Sequence, residues 1–124
     1  MNILDEIAAK TRERTEAEKK KVSLETVRRM AEEKTAAEKA AGNGKFHYRF
    51  QQALAGEDIS FICEVKKASP SKGIIAEEFP YLQIAREYEQ AGASAISCLT
   101  EPFWFRGKDA YLKEITDQVQ IPVL

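Results

Sequence analysis

The chain has 124 residues, 44% of them hydrophobic and 31% charged, with a formal net charge of −1. That balance suits one ordinary globular domain and calls for neither a nucleic-acid nor a membrane partner. No apolar run approaches the ~20 residues of a membrane span and the N-terminus lacks the apolar core of a signal peptide, so a cytoplasmic location is expected.

The first candidate helix runs from Met1 to about Lys21, with Ile3, Leu4, Ile7 and Ala8 on one side and a charged stretch after them. Glu6 with Lys10 and Glu16 with Lys20 stand four residues apart in the favourable order, which predicts a surface helix laced by ion pairs. Lys19, Lys20 and Lys21 are surrounded by acidic residues and lack interleaved aromatics, so they are read as a solvated face. Ser23 is a good N-cap for a second helix reaching towards Ala41, with Val22 placed to staple against Val27. Gly42-Asn43-Gly44 stops it, because these residues tolerate the left-handed conformation. Phe46 to Leu54 predicts a short third helix with Phe46, Phe50, Ala53 and Leu54 on one face and Gly56 ending it. His47 lies off that face and reads as an ordinary surface residue.

From Ile59 to Val65 the residues become β-branched and aromatic, and Ser, Pro and Gly follow, which predicts a strand running into a loop. Strand side chains alternate. Phe61, Cys63 and Val65 therefore share one face, and Ile62, Glu64 and Lys66 the other. If helices cover the first face, Glu64 and Lys66 point inward at the carboxyl edge of a parallel sheet, where α/β folds carry their chemistry. The plainer reading is a solvated ion pair at a strand end.

Lys66 to Pro80 forms a long connection, and long loops in compact domains tend to be functional. A helix follows from Tyr81 to Ala91, with Leu82, Ile84, Ala85, Tyr88 and Ala91 at helical spacing and Gly92 closing it, then a strand from Ala95 to Thr100. By parity Ala95, Ser97 and Leu99 share a face of that strand, taken as the inner one. A loop from Glu101 to Lys108 carries Phe103, Trp104 and Phe105. Asp109 is placed to cap a helix with Tyr111, Leu112, Ile115 and Val119 on its apolar face, and Ile121-Pro122-Val123-Leu124 opens a third strand. Strand, long loop and helix in repetition make a right-handed parallel α/β arrangement. No Gly-x-Gly-x-x-Gly follows either strand, which disfavours a dinucleotide fold. Cys63 and Cys98 fall in separate strands without metal-ligand spacing, so they read as reduced core residues; no zinc site, metal or cofactor is expected. Ser69-Pro70-Ser71-Lys72 also fits Ser-x-x-Lys, but that nucleophile pattern belongs at a helix start and needs partner motifs absent here.

Glu64-x-Lys66-x-x-Ser69-Pro70-Ser71-x-Gly73, continued by Ile96-Ser97-Cys98-Leu99-Thr100-Glu101-Pro102, Phe105-x-Gly107 and Ile121-Pro122-Val123-Leu124, resembles the indole-3-glycerol-phosphate synthase family. The close resemblance covers about Ile59 to Leu124; the helical lead-in is similar more loosely. It implies an α/β fold of the TIM (β/α)8 barrel family, for which ~250 residues is typical. Residues 1–56 are then an N-terminal helical extension, and residues 57–124 are the first two βα units and the start of the third strand. The implied activity is decarboxylating ring closure of 1-(2-carboxyphenylamino)-1-deoxyribulose 5-phosphate to indole-3-glycerol phosphate, a carbon–carbon lyase step of tryptophan biosynthesis.

Ring closure needs a proton donor to a ketone, a grip on the benzoate carboxylate, and acid and base for dehydration. The resemblance implies that Lys66 lies against that carboxylate and takes part in catalysis, while Glu64 holds and tunes it. It assigns Phe105 to the anthranilate ring and Ser69 to the phosphate arm. Ser97 and Leu99 line the substrate slot by strand parity, and Ser71 and Gly73 shape the loop. Phe103 and Trp104 are read as core packing or loop anchors; Trp104 stands where the family often has a tyrosine, which leaves its role open. The family's principal acid lysine lies just past the third strand, and further glutamates, an asparagine and the main phosphate site lie on later strands. The resemblance therefore implies a partial barrel, inactive alone, that is oligomeric or paired with the later strands. The alternative is a non-catalytic half-barrel that acts as a self-assembling or complementing module.

Overall fold

The computed structural model describes residues 2–42 and 48–124. The chain divides into two compact units, residues 1–47 and 48–124. Phe46 and His47, and the predicted start of the third helix with them, lie outside the described residues.

The first unit holds α1 (Ile3–Lys21) and α2 (Leu24–Ala40). Asn2 caps α1, accepting from the Asp5 N–H at 3.0 Å while the Asp5 carboxylate accepts from the Asn2 N–H at 3.2 Å. This reciprocal pair satisfies two donors that a helix start leaves open. The helix therefore begins after Asn2, and its basic last turn, Lys19 to Lys21, complements the helix dipole. The expected four-residue pairs give way to three-residue ones: Lys10 bonds Glu13, Lys19 bonds Glu16 and Lys21 bonds Glu18, at 2.7–2.8 Å. Both spacings place side chains on one face, and exposed pairs of this kind contribute ~0.3–0.5 kcal/mol each. Ser23 caps α2 as expected, accepting from the Thr26 N–H at 3.1 Å. Gly42, at φ +70, takes the left-handed position after it.

The second unit begins with the short α3 (Arg49–Leu54) and continues β1 (Ile62–Val65), β2 (Ala68–Ser69), β3 (Gly73–Ile74), α4 (Tyr81–Gln90), β4 (Ala95–Cys98) and α5 (Asp109–Gln118). β1 and β4 pair in parallel, in the register Ile62 to Ala95, Cys63 to Ile96, Glu64 to Ser97 and Val65 to Cys98. Residues 121–124 extend the ladder along the other side of β4: the Ile96 N–H donates to Pro122, the Cys98 N–H to Leu124 and the Leu124 N–H to Ile96, at 2.8–3.0 Å. The sheet order is β1, β4, then this segment, the pattern that two βα units generate.

Both strands are shorter than the sequence predicts. Phe61 still accepts from the Ser94 and Ala95 N–H groups, at 2.8 and 3.3 Å, so the pairing continues as single bonds before the ladder begins. Asp109 is the first residue of α5 rather than its cap; Lys108 holds the cap position without a side-chain bond. The carboxylate still lies in the first turn, where the dipole favours it.

Helices α4 and α5 cover one face of the sheet. Val65, Ile96 and Cys98 pack with Ala85 of α4 and Ile115 and Val119, and Phe79, Tyr81, Leu82 and Tyr111 surround them. The two helices are joined by Tyr81 against Tyr111, ring centroids 4.2 Å apart, and by the Tyr81 hydroxyl donating to Glu114. Glu89 of α4 accepts from the N–H groups of Gln120 and Ile121 at 2.6 and 3.0 Å, fixing where the chain turns back into the sheet. α3 is tied to the same end, its Arg49 guanidinium donating to the Gln120 carbonyl and its Ala53 carbonyl accepting from Ser60. The other face has no helix within this unit, and Ile62 is 48% exposed there.

This division of faces makes a direct stability prediction. Ile96→Ala, at a position with no exposure, should cost ~2–5 kcal/mol, the range for truncating a buried aliphatic. Ile62→Ala on the open face should cost less than ~1 kcal/mol by the same area argument. Equal losses in urea denaturation would contradict the assignment of faces.

Candidate active site

The carboxyl ends of β1 and β4 are level, since the Leu99 N–H donates to the Val65 carbonyl at 3.1 Å. The candidate site residues lie near the carboxyl ends of these two strands or in the segments that follow them. Glu64 is the third residue of β1 and points away from the helices, because Val65 beside it packs against them and side chains alternate along a strand. Lys66, two residues on, lies on the same face, and its Nζ is 3.0 Å from Glu64 Oε1, the two side chains 34% and 44% exposed. That exposure is enough for the pair to meet a ligand and too much for it to anchor the fold. Ser97 stands beside Glu64 in the register, and Leu99 follows on the same face at the strand end; both are half-buried. The backbone thus gathers Glu64, Lys66, Ser97 and Leu99 onto one face.

Tyr88 of α4 braces this strand from the back, its hydroxyl donating to the Glu64 carbonyl at 3.0 Å. Burial, and then the neighbouring Cys63 and Glu64, raise its phenol above the ordinary value of 10.0. Burial likewise pushes the Cys98 thiol up.

Where the sequence predicts a plain loop after β1, the structure has a hairpin. β2 and β3 pair antiparallel, Ala68 with Ile74 and Ser69 with Gly73, around the three-residue turn Pro70-Ser71-Lys72. Gly73 closes the turn at φ +64, a conformation costly for other residues. The Ser69 hydroxyl accepts from the Lys72 N–H at 3.2 Å and lies 3.5 Å from the Ser71 hydroxyl, so Ser69 shapes this turn itself. Ser-Pro-Ser-Lys-Gly carried the turn signal, since proline presets the first turn residue and glycine supplies positive φ.

The loop after β4 is closed at its neck by the Gly107 N–H donating to the Glu101 carbonyl at 2.9 Å. A Cβ on Gly107 would lie 2.1 Å from the Leu99 carbonyl oxygen, so only glycine fits against the strand end. The Glu101 carboxylate accepts from the N–H groups of Phe103, Trp104 and Phe105 at 2.9, 2.7 and 3.1 Å. Glu101 stands within the family motif, where the sequence reading gives it no role. An acid followed by several residues with free N–H groups was the available signal. Phe105 and Trp104 are half-buried, whereas Phe103 is 55% exposed and packs edge-on against Trp104 with centroids 6.1 Å apart. Core packing is therefore wrong for Phe103; its ring rests on the loop surface. Cys98 is a core residue as expected, while Cys63 is only half-buried; both are free thiols.

The raised Tyr88 phenol sets an alkaline weakness. The folded chain keeps this proton at pH values where the unfolded chain has released it, so its stabilisation is complete below pH 10.0 and is lost as pH rises through the folded value. Tyr88→Phe should reduce the fall in stability between about pH 9 and pH 11, measured by denaturant titration. An unchanged fall would contradict the coupling.

Residues 4–124 match the family described as indole-3-glycerol phosphate synthase. The chain is 51% identical over 122 residues to the indole-3-glycerol phosphate synthase of Ruminiclostridium cellulolyticum and 48% identical over 122 residues to that of Endomicrobium trichonymphae. It is 41% identical over 125 residues to the one from Lachnoclostridium phytofermentans. Each alignment takes in 98% of this chain and 44–46% of the relative, so the chain spans a little under half their length. A match from the first helix to the last residue, through both strand ends and both loops, places the chain in the indole-3-glycerol phosphate synthase family.

Proposed function

We propose that the chain supplies the first part of an indole-3-glycerol phosphate synthase, a lyase that closes 1-(2-carboxyphenylamino)-1-deoxyribulose 5-phosphate to indole-3-glycerol phosphate with loss of CO2 in tryptophan biosynthesis. The observation that carries the reading is the Lys66–Glu64 pair, 3.0 Å apart on the open face at the end of β1. In this reading residues 1–56 are the helical extension, and residues 57–124 are the first two βα units and the opening of the third strand of a (β/α)8 barrel. The reaction takes place in the cytoplasm on a small phosphorylated substrate.

The residues divide the work by their chemistry. Lys66 binds the benzoate carboxylate by charge and serves as a proton donor as the ring closes. Glu64 holds the ammonium on the open face and balances its charge, which lowers the cost of keeping a cation in a substrate-filled slot. Phe105 offers an apolar surface to the anthranilate ring, with Ser97 and Leu99 lining the slot between it and the ion pair. Ser69 and the N–H groups of its hairpin meet the phosphate arm, the hairpin fixing their direction. In the complete barrel Lys66→Ala should lower turnover by at least ~100-fold with the melting temperature nearly unchanged, since an exposed rim residue serves the site more than the core. Near-normal turnover would overturn the assignment.

A second property has its own observation. Ile59, Phe61, Ile62, Ile74, Ile75 and Leu124 are each 48–83% exposed, and among the described residues β1 has a strand partner on one side only. Exposed apolar surface and an open strand edge recruit partners. Residues 1–124 taken alone therefore associate with themselves or with the later strands. Light scattering should give a mass above 14.0 kDa. A well-packed monomer of that mass would contradict this.

A further inference from the structure

Loop Glu101–Gly107 is held from inside by one side chain. Three consecutive N–H groups, those of Phe103, Trp104 and Phe105, converge on the Glu101 carboxylate, Oε1 taking the first and Oε2 the other two. Backbone N–H groups that curl round one anion form a concave nest, and bonds to an ionised acceptor are stronger than neutral ones. Leaving the curl, Arg106 adopts φ +53, a left-handed conformation that a side-chain-bearing residue holds only when its surroundings fix it. Glu101 makes no ion pair among the described residues; the anion is satisfied by the loop's own backbone.

Both ends of this arrangement are fixed to the sheet. Glu101 follows the end of β4, where the Leu99 N–H is bonded to β1, and Gly107 lies against the Leu99 carbonyl. The carboxylate thus transmits the position of the strand end to the backbone of Phe105, four residues on. A loop carrying three adjacent aromatic residues would otherwise have many ways to pack them. We propose that Glu101 is a positioning residue for the ring slot: its carboxylate fixes the backbone from which Phe105 meets the aromatic ring of the substrate. The inference rests on the reading of Phe105 as the ring contact, and deepens it.

The test uses the full-length protein that carries this segment, in the variants Glu101→Ala, Glu101→Gln, Phe105→Ala and the double Glu101→Ala/Phe105→Ala. Steady-state kinetics on the carboxyphenylamino-deoxyribulose phosphate are combined with amide hydrogen exchange at residues 103–105. Glu101→Ala should raise KM about tenfold with kcat held within about threefold, and speed exchange of the three amides by at least about tenfold. A residue acting through Phe105 gives a non-additive cycle, so the double variant should have a KM no higher than Phe105→Ala alone. Glu101→Gln keeps the side-chain volume and one acceptor oxygen; it should fall between wild type and alanine, and it reads the same coupling if the alanine variant fails to fold. Additive KM effects, or an unchanged KM despite faster exchange, would overturn the proposal. A Phe105→Ala variant of normal KM overturns the ring contact and the positioning role together. A wild type without turnover overturns the functional reading alone: faster exchange in Glu101→Ala then still supports Glu101 as the organiser of the loop, and unchanged exchange overturns that as well.

Discussion

The parallel ladder between Ile62–Val65 and Ala95–Cys98 decides which side chains face the helices and which face away. Side chains alternate along a strand, so a slip of one residue would carry Glu64 into the packed layer and bring Val65 out. Val65, Ile96 and Cys98 hold the register, since each is buried against α4 and α5 and has no comparable place on the other face. The geometry of the Glu64–Lys66 pair is thus a consequence of apolar packing on the opposite side of the sheet. The charges themselves contribute little to that choice, for a half-exposed ion pair is worth at most ~1 kcal/mol.

The two ends of the sheet are built differently. At the amino end Glu89 takes the N–H groups of Gln120 and Ile121, and α3 is bonded to the same connection through Arg49 and to the lead-in of β1 through its Ala53 carbonyl, which accepts from Ser60. These bonds hold elements together. At the carboxyl end the hairpin after β1 and the loop after β4 are shaped by their own residues: Ser69 and Gly73 in one, Glu101 and Gly107 in the other. In barrels of parallel strands the amino face serves stability and the carboxyl face serves chemistry. The same residue type, a carboxylate capturing consecutive N–H groups, appears at both ends.

Much of this was legible in the chain because two periodicities were undisturbed. The apolar spacing of Leu82, Ala85 and Tyr88, and of Leu112, Ile115 and Val119, predicts α4 and α5 and their buried faces; the alternation through Glu64 and Lys66 gives the orientation of β1. Family resemblance added the roles, which no periodicity supplies. What escaped was set by contacts that sequence patterns do not encode. The β2–β3 hairpin has only two residues a side, too few for alternation to register. The pairing of Lys10 with Glu13 rather than Glu6 depends on side-chain rotamers, since both partners lie within reach on one helix face. Phe103 reads as core packing or a loop anchor, and of the two only core packing fails: its N–H is bonded to Glu101 and its ring is 55% exposed at the loop surface against Trp104. Glu101 stands in the motif but receives no role, because its partners are backbone groups and its signal is only an acid ahead of several free N–H groups.

Cross-strand proton distances measured by NMR for residues 62–65 and 95–98 test the central claim most directly. The account predicts contacts that set Glu64 beside Ser97 and Val65 beside Cys98, with Lys66 on the Glu64 face. Contacts setting Glu64 beside Ile96 or Cys98 would contradict it, because the ion pair would then belong to the helix-covered face and not to a substrate slot.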